Sequence, residues 1–328
     1  MRNLLTRNRP DLEAADVTVD HIEIRHVDDE VVAERVRSFF AGKISDFARD
    51  GERSVRIAHP RGAGLQIKIK GAGLNGRGIR FGTLHKAGPK APLFDFDGRM
   101  MEDVASGHDN AYVGGATFQQ TATEYRMAKL LTSLGYTAVP CLGFGRVEKA
   151  GLSSWFAVFE MRDDWFAVKP PKFSLEQYCE SKVAMGQLLL DLAVKHDLIG
   201  YASFLGTRDG QRCIKDLHPF RMADPVGMSQ LSWVMQLFFA LHIVSLAAIH
   251  FSKQASGKVP EDIQALCFKP ILPSASKADH DALRGALVSR YMLGAPLSFD
   301  QRELVEVLRG NPITHSMLDL CPAKYSRY

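Results

Sequence analysis

Three residues of this chain have the types and settings that phosphate chemistry uses. Lys70 closes the run Leu65-Gln66-Ile67-Lys68-Ile69-Lys70, apolar at every second position, which predicts a strand with one buried face, and Gly71-Ala72-Gly73 follows as a turn. Glu124 lies in Gln119 to Leu134, where Ala122, Met127, Ala128, Leu130, Leu131 and Leu134 recur at helical spacing before Gly135 ends the helix. A strand lysine can orient the phosphates of a nucleotide, and a helix glutamate can hold that lysine by a charged hydrogen bond. The plainer alternative is a solvated strand-end lysine and one more helix-face carboxylate. Asp216, in Ile214-Lys215-Asp216-Leu217-His218-Pro219-Phe220, follows a short apolar strand. A carboxylate so placed either binds magnesium against ATP phosphates or serves a turn.

The elements that must position these residues can be read in order. Val17 to His26 alternates imperfectly and predicts a strand; Asp28 to Asp50 carries Val31, Val32, Val36, Phe39 and Phe40 and predicts a helix ending by Gly51. Val55 to Ala58 predicts a strand, and Pro60-Arg61-Gly62-Ala63-Gly64 a turn before the lysine strand. That turn is an ordinary hairpin connection or a flap over phosphates; with no Gly-Lys-Ser/Thr after the glycines it is not a P-loop. Leu74 to Phe118 is long, rich in glycine and charge, and holds Arg77, Arg80, His85, Lys86, Arg99, His108 and Asp109. Within it Phe94 to Arg99 alternates and then turns, predicting part of a hairpin.

Val139 to Glu148 and Ser154 to Met161 predict two strands around Lys149-Ala150-Gly151, delivering the chain to a second lobe at Arg162 to Asp164. That lobe reads as helical. Ser174 with Gln177 has the spacing of a capping box, and Val183, Met185, Leu188, Leu189, Leu190, Leu192 and Ala193 form the apolar face that follows. Phe204-Leu205 and Cys213-Ile214 flank Thr207-Arg208-Asp209-Gly210 as a small hairpin. Ser232 to Phe251 predicts a long buried helix, Ser276 to Leu293 another, and Asp300 to Leu308 a shorter one capped by Asp300 and ended by Gly310-Asn311-Pro312. The expected organisation is therefore α+β, with an amino-terminal lobe over residues 1–163 and a helical lobe over residues 164–328.

Composition excludes several classes. A net charge of +4 is too small, and its lysines and arginines too dispersed among acids, for a nucleic-acid protein. The five cysteines form no CxxC pair, so no zinc knuckle or dithiol motif is expected, and their odd number suits a reducing, cytoplasmic setting. The longest apolar run, Val234 to Ile249, is broken by Gln236, His242 and Ser245 and is too short for a membrane span. The arginine-containing start lacks the apolar core of a signal peptide, and leaves an organelle or secretion-system address open. No Gly-x-Ser-x-Gly elbow or His-Glu-x-x-His motif is present.

Four blocks in order, Lys70-Gly71-Ala72-Gly73, Asp97-Gly98-Arg99, Thr123-Glu124-Tyr125-Arg126-Met127-Ala128 and Leu134-Gly135-Tyr136-Thr137-Ala138-Val139-Pro140, resemble the amino-terminal lobe of the selenoprotein-O family. The block Ile214 to Phe220 resembles that family's metal-binding aspartate segment, with His218 where the family has glycine. The resemblance implies a protein-kinase-like bilobal fold that binds ATP with Mg2+ or Mn2+ and transfers AMP to protein hydroxyls. It implies that Lys70 and Glu124 contact or brace the phosphates, that Arg99, with Arg77 or Arg80, holds the triphosphate in a reversed pose, and that Asp216 carries the metal. The chain departs from the family twice. Met101 to Phe118 is inserted between the Asp-Gly-Arg block and the helix, and the catalytic loop reads His196-Asp197-Leu198-Ile199-Gly200-Tyr201-Ala202-Ser203, without asparagine. Asp197 is then the substitute base, with Ser203 a weak metal partner and Asp209 a second metal candidate.

The reading that follows is an ATP-dependent transferase moving AMP or a phosphoryl group to a protein hydroxyl or a small-molecule acceptor. Two others stand beside it: a catalytically inactive kinase-like protein that binds nucleotide or a partner, and an ATP-using ligase that forms an adenylate.

Overall fold

A computed structural model of the chain describes residues 17–50, 54–72, 93–94, 100–101, 115–149, 151–168, 174–207, 210–218, 220–222, 229–256, 263–292, 306 and 308–325. The chain divides into two compact units, one of Met1–Lys90, Glu102–Phe166 and Leu205–His218, the other of Ala91–Met101, Ala167–Phe204 and Pro219–Tyr328. The class is α+β, with an antiparallel sheet in the first unit and helices dominating the second.

In the first unit six strands, β1 (His21–Val27), β2 (Phe47–Arg49), β3 (Ser54–Ala58), β4 (Leu65–Lys70), β5 (Cys141–Lys149) and β6 (Leu152–Arg162), form one sheet ordered β1-β5-β6-β4-β3-β2. Every pairing is antiparallel. Helix α1 (Glu30–Phe40) starts where the Asp29 carboxylate accepts the Val31 amide, which satisfies one orphan donor of the first turn. Its Val32, Val36, Phe39 and Phe40 pack on Val55, Ile57, Ile67, Ile69, Val147, Phe156 and Val158, the inward residues of four strands. Helix α2 (Phe118–Ser133) begins with a capping box between Thr117 and Gln120 and stops at Gly135, whose φ of +87° suits glycine. A further strand, β7 (Arg212–Lys215), follows a turn closed by Thr207, whose amide and hydroxyl donate to the Gln211 carbonyl at 3.0 and 3.2 Å. Ile214 exchanges backbone hydrogen bonds with Thr137 and Val139, tying β7 to the segment after α2.

One expectation fails here. Asp28 to Asp50 is not a single helix: α1 ends at Phe40, Gly42 turns the chain at φ +72°, and Phe47–Arg49 becomes the edge strand β2. The β-branched and aromatic pattern continues past Phe40, but a left-handed glycine interrupts the helical ladder. The expected hairpin near Phe94 is present as Leu93–Phe94 paired with Met100–Met101; the residues between, Arg99 included, lie outside the described residues.

The second unit is built on α3 (Leu175–His196), α4 (Gln230–Ser256), α5 (Lys277–Met292) and α6 (Pro312–Leu320), with a short 3-10 turn at Ile263–Phe268. Ser174 and Gln177 form the anticipated capping box. Trp233, Val234, Met235, Leu237, Phe238, Phe239, Ala240 and Leu241 are all buried, so this part of α4 is enclosed on every side. The expected helix end at Gly310-Asn311-Pro312 is present, since residues 308–310 are helical and Asn311 is not, and Pro312 also opens α6: the Asn311 side chain caps the Ile313 and Thr314 amides, and proline at the first position loses no intrahelical bond. Among the described residues no helix is long and apolar enough to cross a membrane.

Candidate functional site

The alternation of β4 sends Ile67 and Ile69 into the core with α1 and leaves Lys68 and Lys70 on the opposite face of the sheet. Register sets Lys70 opposite Ala157 of β6 and Ser54 of β3. On α2 the buried residues Thr121, Glu124, Ala128 and Leu131 recur every three or four positions, so Glu124 sits inside the packed stripe and is 2 % exposed. A carboxylate buried that deeply needs a cationic partner.

Lys70 supplies it. Its Nζ donates to Glu124 Oε1 at 2.7 Å and to Asp216 Oδ1 at 3.0 Å. The other oxygen of Glu124 accepts the backbone N–H of Leu217 at 2.9 Å, and His218 Nδ1 lies 3.3 Å from Oε1. The second oxygen of Asp216 accepts from Lys215. Strand β4, helix α2 and the turn after β7 therefore meet at two carboxylates and two ammonium groups, all within the first unit.

Asp216 has φ +62°, a left-handed conformation that is uncommon outside glycine and that aspartate tolerates better than most residues. The turn it makes directs its own carboxylate to Lys70 while the next amide reaches Glu124. Strain of this kind is worth about 1–3 kcal/mol and persists where surrounding contacts over-determine it.

The electrostatics follow from the geometry. Burial alone would push the Glu124 carboxyl up, but the charge of Lys70 and the hydrogen bond and charge of His218 outweigh it and hold it down at about 2. Burial likewise opposes ionisation of Asp216, and Lys70 and then Lys215 keep it well below the usual carboxylate range. Both acids are ionised near neutral pH. Beside them Lys68 donates to Asp50 at 2.8 Å, and Arg56 reaches the same carboxylate oxygen at 3.0 Å.

Of the residues singled out in the sequence, Lys70, Glu124 and Asp216 come together. Arg77, Arg80, Arg99 and Asp209 lie outside the described residues. Asp197 belongs to the second unit, where it ends α3 at φ +56° and its carboxylate accepts from Lys324 and from the Tyr325 hydroxyl at 2.8 Å. Two participants were not foreseen. Lys215 was readable only as the cation next to Asp216, and the Leu217 amide leaves no mark in a sequence. Among the described residues no group of three or more His, Cys, Asp or Glu is disposed to hold a metal ion.

No protein-family model and no curated protein matches this chain. Among solved structures, a MAP kinase from Leishmania major aligns over 91% of this chain and 92% of its own, at 13% identity and a TM-score of 0.28.

Proposed function

We propose that this chain is a nucleotide-binding protein on a kinase-like scaffold, acting as an ATP-dependent transferase that moves AMP or a phosphoryl group to a protein hydroxyl or a small-molecule acceptor. The observation that carries the reading is the convergence of Lys70, Glu124 and Asp216 from a strand, a helix and a late turn. Protein kinases brace a phosphate-contacting strand lysine with a helix glutamate and place an aspartate beside it. Here Lys70 would neutralise phosphate charge, Glu124 would hold the lysine in position, and Asp216 would orient it from the other side. Such catalysis rests on positioning and electrostatic stabilisation more than on covalent chemistry by the protein. The four sequence blocks that resemble the selenoprotein-O family favour AMP over the terminal phosphoryl group as the unit transferred.

Whether Mg2+ or Mn2+ suits the site turns on its oxygens. A hard cation of this kind is held by one or two carboxylates together with phosphates and water, and needs those carboxylates clear of competing ammonium groups. Both oxygens of Asp216 accept from ammonium groups, and both oxygens of Glu124 are engaged by Lys70, His218 and the Leu217 amide. As arranged, this donor set does not fit such an ion, and no step is routed through one.

A second reading, nucleotide binding without transfer, draws on a specific observation. The segment His196 to Ser203 contains no asparagine, and the carboxylate of Asp197 already accepts from Lys324 and Tyr325. The deciding experiment is ATP binding by calorimetry with wild type and Lys70→Met, followed by incubation with α- or γ-labelled ATP and candidate acceptors. The expected result is binding that Lys70→Met weakens at least about tenfold without changing the circular dichroism. Transfer of α label denotes AMP transfer, of γ label phosphorylation, and neither the inactive binder. Equal binding by Lys70→Met, or no binding by wild type, rejects the site.

A further inference from the structure

Asp216 is flanked by two lysines, one from β4 and one from its own neighbour in sequence. Lys70 takes Oδ1 at 3.0 Å and Lys215 takes Oδ2, so each carboxylate oxygen already faces an ammonium group whose charge would repel a cation. Lys68 stands two residues before Lys70 on the same face of β4, where the charges of Lys215 and Lys70 act on it and Asp50 balances it together with Arg56. Counted as one cluster, Lys68, Lys70, Lys215 and Arg56 face Asp50, Asp216 and Glu124, four cations against three carboxylates. That excess favours an anion.

An ammonium group held by a carboxylate keeps two further donors, because Lys presents three N–H bonds. Lys215 can therefore remain paired with Asp216 and still donate to a phosphate oxygen. A divalent cation would have to displace it and, being hard and strongly hydrated, would gain one carboxylate while losing water. The favourable arrangement leaves Lys215 in place.

We infer that Lys215 is the resident counter-ion of Asp216, taking the part that a divalent cation plays beside the corresponding acid of a kinase, so that the triphosphate of a nucleotide is bound here without a metal. The inference rests on the nucleotide reading above and adds to it the identity of the cation. Lys215 is a positioning and charge-neutralising residue, not one assigned to the transfer step.

The test uses the full chain and ATP, with binding measured by calorimetry in excess Mg2+ and in excess EDTA. Wild type is expected to bind ATP in EDTA within about threefold of its affinity in Mg2+. Lys215→Met, which keeps an apolar stem of similar length, is expected to lose about tenfold in EDTA, the worth of one charge-assisted hydrogen bond, and much less in Mg2+, which can then occupy Asp216. Lys215→Arg should restore binding in EDTA. A purely structural role for Lys215 would weaken binding equally in both conditions, and that outcome overturns the inference. So does wild-type binding that falls more than about tenfold when Mg2+ is removed, which would leave the nucleotide reading standing. Absence of ATP binding in both conditions rejects the nucleotide reading itself, and this inference with it.

Discussion

The backbone amide of Leu217 donates to Glu124 Oε2 at 2.9 Å while Lys70 holds the other oxygen of the same carboxylate. One buried side chain on α2 thus fixes both the strand that carries the lysine and the turn that carries Asp216. Neither partner can move far without leaving part of Glu124 unsatisfied, and an unpaired buried carboxylate is costly. A single acid thus serves as the hub of the site, and that arrangement makes definite demands on mutants.

Replacing Glu124 by alanine should destabilise the first unit by about 3–5 kcal/mol, the usual cost of removing one partner of a buried pair, since Lys70 then loses its strongest acceptor and the Leu217 amide is left buried without one. Glu124→Gln should cost less, because its amide oxygen can still accept one of the two bonds. Urea denaturation of the two variants checks the order. Equal stabilities for alanine, glutamine and wild type would refute the hub.

Acid should act through the same residue. Its carboxyl is held at about 2 in the folded protein against an ordinary 4.5, so the folded state binds fewer protons than the unfolded one in that interval. Its contribution to stability is complete above about pH 4.5 and is lost as pH falls toward 2. Unfolding free energy measured across that range should fall more steeply for wild type than for Glu124→Gln.

Gly71, directly after Lys70, has φ +89°, and a Cβ there would stand 2.6 Å from the Trp155 carbonyl oxygen and 2.8 Å from the Ala116 Cβ. Gly71→Ala therefore combines backbone strain with overpacking and should cost at least about 1–3 kcal/mol. Because the strain falls on the residue next to Lys70, the ATP binding proposed for this site should weaken as well. A melting curve indistinguishable from wild type would show that the turn relaxes freely.

In the second unit His242 of α4 and His280 of α5 are buried together, His242 Nδ1 lying 3.1 Å from His280 Nε2, with the rings of Phe238 and Phe268 beside them. Burial, then the neighbouring imidazole and Arg284, push His242 down to about 4; Asp281 acts the other way. His280 is lowered by burial against the hydrogen bond and charge of Asp281, with Arg284 and Lys277 lowering it further. The neutral pair is favoured on folding, so stability is complete above about pH 6.5 and declines as pH falls toward 4. His242→Leu, close in volume and without a proton to gain, should flatten the unfolding profile over that interval. A wild-type profile already flat there would contradict the prediction.

Much of this architecture is legible residue by residue. Alternation from Leu65 to Lys70 specifies a strand and the face Lys70 takes; the Ser174 and Gln177 pair specifies where α3 begins; the strands either side of Gly151 follow from their apolar runs. Where reading by pattern failed, a single local geometry overruled a good pattern. Gly42 at positive φ ended α1 well before Asp50. The Thr117 and Gln120 capping box was as readable as the one at Ser174.

By itself, then, the sequence determined the local elements and the residue types each would present, because propensity, periodicity and capping act over a few neighbours. Tertiary structure alone decided that Lys70 would meet an aspartate 146 residues away, that Lys215 would share that aspartate, and that a main-chain amide would complete Glu124. The physical reason is that a buried charge has no preferred partner until folding removes water from around it; only then does the geometry of the packed chain settle which groups must neutralise one another.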